Sequence, residues 1–251
     1  MGERRRVETR VHPLAAAALP SLHRHVEEIL AEAAYAGQYA MLIAGTAISE
    51  NYTPSSDIDV FVVHEANWRQ RCAFRAGEYR LDITLLPVSE VRAAYKSYHA
   101  PGVLDAFASG LAVRDFNGTL LTLKLEAERA YAAGPPPMSS AALALWRYRL
   151  SVALDSIAAP RSDDRWNALR LADLTRDALE THLRARRVWK PNVKNLLAVA
   201  RAHGHPAVAR ALCEPFSLLD RDAVAQLIKA VLDSLGGPLG SWRTAREEAR
   251  K

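Results

Sequence analysis

The chain is poor in cysteine: two occur among 251 residues, Cys72 and Cys213. They lie far apart and form neither a CxxC motif nor a Cys/His spacing typical of zinc sites. Nothing in the sequence therefore points to a cysteine-based metal site. In a reducing compartment both thiols are expected to be free and partly buried, although a single disulfide stays open.

Long apolar runs are also lacking. No segment approaches the ~20 consecutive apolar residues that a membrane-spanning helix needs. The first ten residues, MGERRRVETR, are charged and have no apolar core of a secretory signal. The Ser or Thr that an N-myristoylation signal requires at the sixth position is missing. We therefore expect no membrane partner and, by default, a cytoplasmic location.

Composition is otherwise that of a globular protein, with 49% apolar and 24% charged residues. Charge is uneven along the chain. Residues 1–138 have a net charge of −2, and residues 139–251 have a net charge of +7. Gly134 and the following Pro135-Pro136-Pro137 interrupt helical patterns and favour an extended linker. The sequence predicts two domains, 1–134 and 139–251.

Helix and strand patterns alternate in the first half, whereas the second half is almost entirely helical in pattern. This organisation predicts an α/β domain followed by an α-helical bundle, an α+β protein overall. Predicted strands span Tyr39–Ala44, Asp57–Val63, Glu78–Leu86 and Leu111–Arg114. Predicted helices span Pro20–Ala36, Ser89–Ser97, Val103–Ala108, Thr119–Ala133, Ala141–Ala158, Asp163–Arg187, Val193–Ala202, Pro206–Leu212, Asp220–Leu235 and Ser241–Arg250.

Gly45-Thr46 directly follows the first predicted strand. Backbone N–H groups at such a turn can bind a phosphate, because successive N–H dipoles converge on an anion. By itself the dipeptide has a plainer interpretation, in which Gly45 only permits a tight turn.

Asp57 and Asp59 open the second predicted strand. Side chains at i and i+2 of a strand point to the same face, so the two carboxylates project together while Ile58 and Val60 face the other way. Two neighbouring carboxylates repel each other, and a divalent cation with a preference for hard oxygen ligands, Mg²⁺, offsets that charge. The alternative is a solvated turn edge.

Asp82 lies in the middle of the third predicted strand, flanked by Leu81 and Ile83. A lone carboxylate is costly to bury there, so it must be compensated. One alternative is an ion pair with Arg80 or with an arginine elsewhere in the chain. If the strands that carry Asp59 and Asp82 are neighbours, three carboxylates form one cluster.

Taken in order, Ala44-Gly45-Thr46, Asp57-Ile58-Asp59-Val60 and Leu81-Asp82-Ile83 resemble the nucleotidyltransferase superfamily typified by DNA polymerase beta. The resemblance covers about residues 40–87, and the two-domain layout is similar to that of kanamycin and other aminoglycoside nucleotidyltransferases. It implies a catalytic domain with a mixed sheet, a helical acceptor-binding domain and a nucleoside triphosphate as co-substrate.

The resemblance also implies a site built on Asp57, Asp59 and Asp82. Asp57 and Asp59 are expected to hold two Mg²⁺ ions, one of which Asp82 also binds. The metals activate the attacking hydroxyl and stabilise the pyrophosphate leaving group. Asp82 is the first candidate for the base that deprotonates the acceptor.

Nucleotide binding is assigned by the same resemblance. Gly45 and Thr46 would hold the β- and γ-phosphates, and Ser56 would add a hydroxyl donor. Several family members have a cation three residues after the Ser/Thr, whereas this chain has Ser49. Lys194, within a Trp-Lys-Pro-Asn-Val-Lys segment, is the candidate replacement; alternatively it is simply solvated at a helix start.

Other polar groups in the second half have competing interpretations. Asp173 and Asp177 lie one helical turn apart, and a carboxylate of the helical domain serves as the base in some relatives. Nearby arginines favour surface ion pairs instead. His203-Gly204-His205 is better explained by a helix end than by a metal site.

The acceptor is less constrained than the nucleotide. The leading hypothesis is transfer of AMP to a hydroxyl of a small molecule, such as an antibiotic. A net charge of +7 in the second half disfavours a polycationic aminoglycoside and suits a neutral or anionic acceptor. The alternative is nucleotidylation of tRNA or a protein, since a basic domain suits a phosphate backbone. A non-catalytic module is disfavoured by the intact acidic triad. Monomer and homodimer both stay open.

Overall fold

The computed structural model describes residues 12–50, 52–53, 55–98, 101–158, 164–213, 216–218 and 220–243. These residues form two compact units, the first ending at Ala133 and the second beginning at Gly134. The roles assigned to them, catalysis and acceptor binding, stay predictions.

The first unit contains a five-stranded mixed sheet. The strands are β1 (Tyr39–Ala44), β2 (Asp57–His64), β3 (Gln70–Ala76), β4 (Tyr79–Pro87) and β5 (Leu111–Arg114). They lie in the order β3-β4-β2-β1-β5, and only the β2–β4 pair is parallel within the described sheet. This architecture, followed by a helical second unit, confirms the predicted fold class. The helices are α1 (Pro13–Ala16), α2 (Leu19–Glu32), α3 (Val88–Ala94), α4 (Pro101–Ser109) and α5 (Thr119–Ala133).

One face of the sheet forms the main core with α2. Alternate residues of the two central parallel strands are buried on this face, as the period of two predicts. Burial of each such aliphatic side chain contributes about 1.5–3 kcal/mol. The cluster joins Ile58, Val60 and Val62 of β2 and Leu81, Ile83 and Leu85 of β4 to Leu22, Val26 and Leu30 of α2.

The opposite face of the sheet has an apolar part and an acidic part, which lie at different ends of the strands. Towards the end of β2, Phe61 packs edge-on against Phe107 of α4, with ring centroids 5.9 Å apart. Near the start of β2 and β4 the same face bears carboxylates, of which Asp57 is exposed and Asp59 and Asp82 are half-buried. The core therefore fixes both strands while leaving these side chains within reach of solvent.

Strand β3 is absent from the sequence prediction. It lies at the edge of the sheet, and its residues alternate between exposed and half-buried rather than between exposed and buried. Half-buried Phe74 packs against the core cluster, and Cys72 is on the same side. The apolar signal of such an edge strand is weak because only part of one face is covered.

Several predicted helix limits in this unit are wrong, and two of the differences have a clear cause. Helix α2 ends at Glu32 instead of Ala36, because Ala34 adopts a φ of +52° and the Tyr35 N–H bonds back to the Leu30 carbonyl. The predicted cap at Ser89 is also wrong: α3 already begins at Val88, after extended Pro87.

The second unit consists of helices around one apolar core. The segment predicted as a helix over Val193–Ala202 is instead a 3₁₀ turn, Val193–Asn195, followed by a helix that begins at Leu196. Of the predicted helix Ser241–Arg250, residues 241–243 are not helical and the rest lie outside the described residues. The helices are α6 (Ser140–Ala158), α7 (Asp164–Ala185), α8 (Leu196–His203), α9 (Pro206–Ala211) and α10 (Arg221–Ser234).

The His203-Gly204-His205 segment connects α8 to α9. Gly204 is the cap residue after α8, and the His205 ring caps the start of α9 by accepting a bond from the Ala207 N–H. These are the helix-end roles predicted for the segment.

His182 lies fully buried beneath this connection. Its Nε2 accepts a hydrogen bond of 2.9 Å from the His205 N–H, so Nδ1 bears the proton and donates to Ser234 Oγ at 3.1 Å. Burial, followed by the charges of Arg186 and His205, lowers the pKa of His182 to about 4. Both ring nitrogens of the neutral His182 are therefore hydrogen-bonded.

We predict that the helical unit loses stability on mild acidification. The unfolded His182 has a pKa of about 6.5, so between pH 6.5 and 4 the unfolded chain takes up a proton that the native ring refuses. As pH falls through that window, unfolding becomes easier by ~3 kcal/mol in total. Denaturant unfolding at pH 7 and pH 5 measures the loss. His182→Gln should reduce it, whereas the exposed control His203→Gln should not; equal losses in all three proteins would refute the assignment.

Within the described part of the chain, no helix is both long and apolar enough to cross a membrane. Both cysteines are free thiols, Cys72 half-buried as predicted and Cys213 exposed, against the prediction.

Candidate functional site

The three predicted carboxylates lie on one face of the sheet, on adjacent parallel strands. Asp59 of β2 is directly opposite Asp82 of β4, and Asp57 is opposite Arg80. Neighbouring strands are about 4.8 Å apart, so the Asp59 and Asp82 backbones are as close as a sheet permits. Like charges in directly opposite positions are destabilising, and this arrangement therefore needs a counter-charge.

Gly45 forms the second part of the site, immediately after β1. It has a φ of +70° and begins a 3₁₀ turn, Gly45–Ile48. A Cβ on Gly45 would lie 2.2 Å from Asp59 Oδ2, so the space of a side chain is occupied by that carboxylate. The turn is therefore held directly against the acidic face.

Thr46 and Ser49 stabilise this turn. Thr46 is half-buried, and its carbonyl accepts bonds from both the backbone N–H and the hydroxyl of Ser49, at 2.9 and 3.0 Å. Ser49 thus closes the turn.

Ser56 precedes Asp57 in a short hydroxyl network. Its Oγ accepts from the Thr53 N–H at 3.2 Å and lies 3.0 Å from Thr53 Oγ1, which also contacts Ser55 Oγ. These contacts fix the approach of the chain to β2. Phosphate binding by Ser56, Gly45 and Thr46 stays a prediction.

Arg71 of β3 pairs with Asp82. Its Nε donates to Oδ1 at 2.9 Å, and its Nη2 donates to Oδ2, so both carboxylate oxygens are engaged by one guanidinium. The Arg71 side chain is 72% exposed and that of Asp82 is 17% exposed. The bonds to Asp82 raise the pKa of Arg71, to which the charge of Asp59 also contributes. The alternative in which Asp82 pairs with an arginine elsewhere in the chain is therefore correct: that arginine is Arg71 and not Arg80.

Sequence analysis missed Arg71 because it missed β3. Arg71 and Arg75 alternate with apolar residues, and Arg75 lies opposite Arg80 of β4. Alternation of basic and apolar residues across Gln70–Ala76 is a signal that could have identified both the strand and its cations. The acidic face is thus bordered by arginines of β3 and β4.

The negative potential at the start of β2 affects a neighbouring tyrosine. Tyr52 is buried beside this edge. Its burial, and then the charges of Glu78 and Asp57, raise the pKa of its hydroxyl. The phenol is therefore neutral at ordinary pH.

The donor set suits a hard divalent cation. Asp57 and Asp59 provide adjacent carboxylates on one face, the oxygen ligands that Mg²⁺ prefers. Among the described residues, no group of three or more carboxylate, His or Cys side chains is gathered closely enough to hold a metal. Asp82 can become a third ligand only when Arg71 releases its oxygens.

Lys194 belongs to the second unit. Its side chain is exposed in the 3₁₀ turn before α8, and its N–H donates to Asn192 Oδ1 at 3.2 Å. Lys190, by contrast, pairs with Glu180 at 2.8 Å. The structure gives Lys194 the helix-start position of the plain interpretation, and its role towards a nucleotide stays a prediction.

The two helical-domain carboxylates differ. Asp173 is exposed and pairs with Arg176 at 3.0 Å, as expected of a surface ion pair. Asp177 is half-buried, and burial raises its pKa, with Glu180 and Asp173 adding to the effect.

Two cavities, of 460 and 540 Å³, lie away from the acidic face of the sheet. One adjoins His182 in the second unit, and the other adjoins Pro87 and Asn117 in the first. Neither is lined by Asp57, Asp59 or Asp82.

Comparison with known proteins gives a distant likeness. No family model and no curated protein matches the chain. A crystal structure of a nucleotidyltransferase-like protein from Exiguobacterium sibiricum is similar over 86% of this chain and 74% of its own, with 12% identity and a TM-score of 0.46. So remote a likeness carries no argument about function, which has to come from the side chains.

Proposed function

We propose that the chain transfers a nucleoside monophosphate, AMP in the first instance, from a nucleoside triphosphate to a hydroxyl group. The observation that carries the proposal is the register of Asp59 against Asp82 on parallel strands, with Asp57 on the same face. The Gly45 turn, closed against Asp59, supports it. Carboxylates on one face of adjacent strands, beside a glycine turn, suit a metal-bound triphosphate.

In the proposed reaction, the acceptor oxygen forms a bond to the α-phosphorus, and the bond from that phosphorus to the β-phosphate oxygen breaks. Pyrophosphate leaves, and the hydroxyl proton passes to a carboxylate. When bound by Asp57 and Asp59, Mg²⁺ would offset the charge of the triphosphate and activate the acceptor. Two ions are proposed, with Asp82 as the third ligand and first candidate base.

The turn at Gly45 would orient the triphosphate. Its backbone N–H groups would bind phosphate oxygens, while the missing Cβ of Gly45 leaves room for the Asp59 carboxylate beside the turn. Thr46 would add a hydroxyl donor. Asp59 would then set the distance between the metal and this turn.

A small-molecule acceptor is favoured by the use of arginines in the second unit. Several bind backbone carbonyls at helix ends, at 2.6–3.0 Å, and so serve the packing of the bundle. Arg147 donates hydrogen bonds to the carbonyls of Gly236 and Gly237, Arg186 to that of His203, and Arg201 to that of Leu212. Guanidiniums committed in this way are less available to follow a nucleic-acid backbone.

Nucleotidylation of tRNA is the second candidate. It is favoured by the net charge of +7 over residues 139–251. Strong loss of binding with added salt is expected if this acceptor is correct.

A labelling experiment tests both acceptors. The protein is incubated with Mg²⁺ and each of the four triphosphates, labelled with ³²P at the α-phosphate or, in parallel, at the γ-phosphate. Each incubation contains a small-molecule extract, an antibiotic panel or total tRNA. We expect label to enter a small molecule and pyrophosphate to be released. Label in tRNA selects the alternative acceptor. Label transferred only from γ-³²P-labelled nucleotide would refute nucleotidyl transfer and indicate a kinase.

A further inference from the structure

Arg71 is a charged residue at the acidic face for which the proposed function provides no role. It lies on β3 opposite Thr84, which is two residues from Asp82 on β4 and therefore on the same face of the sheet. From there it engages both oxygens of Asp82. Bidentate ion pairs of this type are among the stronger charge-assisted contacts, even though Arg71 itself is largely exposed.

This ion pair offsets the repulsion between opposed Asp59 and Asp82. Arg71 neutralises one carboxylate directly, and its charge also interacts with Asp59. A divalent cation at the same place would offset the same charges. The guanidinium and the cation therefore compete for Asp82, because its two oxygens cannot serve both fully.

Release of Arg71 requires little disruption. Its side chain is 72% exposed, and it is anchored only at the sheet edge, so the guanidinium can swing away without opening the core. Asp82, at 17% exposure, is held by β4 and stays in place. The freed charge remains within one side-chain length of the acidic face.

A triphosphate at this face needs a cation beyond the metals. The Gly45–Ile48 turn contains no basic residue, and Ser49 closes it. On the same face, Arg80 lies opposite Asp57, and Arg71 has the guanidinium that metal binding would displace.

We propose that Arg71 is an exchangeable counter-ion: it holds Asp82 in the metal-free protein, yields it to the divalent cation, and then binds the triphosphate. This assignment rests on the proposed function. It makes Arg71 a nucleotide-binding residue and a determinant of metal affinity. Arg71 would lower the affinity for the metal and raise the affinity for the nucleotide. A purely structural ion pair would not produce this combination.

Binding measurements without turnover test the proposal. Free Mn²⁺ is followed by electron paramagnetic resonance for wild type and Arg71→Ala in the absence of nucleotide. Binding of α,β-methylene-ATP is then measured by calorimetry at saturating Mg²⁺. Arg71→Ala should bind Mn²⁺ about 3- to 10-fold more tightly and the nucleotide about 5- to 10-fold more weakly. Arg71→Lys, with one charge and no planar fork, should fall between wild type and Arg71→Ala in both assays.

Arg69→Ala is the matched control. Arg69 is two residues away, is 74% exposed and pairs with Glu90, so its loss removes the same charge without touching Asp82. It should change each affinity by less than about twofold. Unchanged or weaker Mn²⁺ binding by Arg71→Ala, or undiminished nucleotide binding, would overturn the proposal.

Asp59→Asn separates failure of this proposal from failure of the proposed function. If Asp59→Asn loses Mn²⁺ and Arg71→Ala equals wild type, only the role of Arg71 is wrong. If Asp59→Asn binds Mn²⁺ like wild type, the metal site itself is wrong.

Discussion

Asp59→Asn is expected to reduce nucleotidyl transfer at least ~1,000-fold, since the proposed metal site supplies several kcal/mol of transition-state stabilisation. An amide cannot replace the charge of the carboxylate. Asp59 is also the residue that faces both Asp82 and the Gly45 turn, so it joins the metal and phosphate parts of the site. The rate of label transfer from α-³²P-labelled nucleotide measures the loss.

The same substitution should change the stability of the fold little. Removal of the Asp59 charge relieves its repulsion from Asp82, which lies directly opposite, but it also removes an attraction to Arg71. Activity should therefore fall far more than thermal stability. Glu128→Gln, an exposed change on α5, is the control and should alter neither. Retained activity in Asp59→Asn would contradict the metal assignment, whereas a large loss of stability would indicate a structural carboxylate.

Gly45→Ala is expected to reduce transfer at least ~100-fold. The new Cβ would lie 2.2 Å from Asp59 Oδ2, and the flexible carboxylate would have to move out of its position. Displacement of a reacting or ligating group by about 1 Å can cost roughly 100-fold in rate. The φ of +70° would add strain of about 1–2 kcal/mol.

Gly118→Ala separates these two effects. Gly118 has the same φ of +70°, but its added Cβ would meet no atom within 4 Å. Gly118→Ala should lose stability through the backbone strain alone, and it should keep nearly full activity. If the two alanine variants had equal activity, the contact between Gly45 and Asp59 would have no functional importance.

The sequence was sufficient for those features that depend on local patterns. Strands Tyr39–Ala44 and Leu111–Arg114 and helix Thr119–Ala133 have their predicted bounds, because a glycine with positive φ, at Gly45, Gly118 or Gly134, marks a turn next to each. The shared face of Asp57 and Asp59 follows from the same period of two.

Features that depend on tertiary register could not be predicted in this way. That Asp59 faces Asp82 is determined by parallel pairing across a crossover, which is not encoded in either strand alone. The Arg71 pair requires an edge strand whose pattern is weak. The occupation of the Gly45 side-chain space by Asp59 is visible only in three dimensions.

The most direct test is a crystal structure with Mn²⁺ and α,β-methylene-ATP, using the anomalous signal of manganese. Manganese should lie roughly 2 Å from carboxylate oxygens of Asp57 and Asp59, with the phosphates on the Gly45 turn. Arg71 should have left Asp82. Nucleotide bound elsewhere, or manganese absent from these carboxylates while nucleotide is bound, would show that the carboxylates are not a metal-nucleotide site.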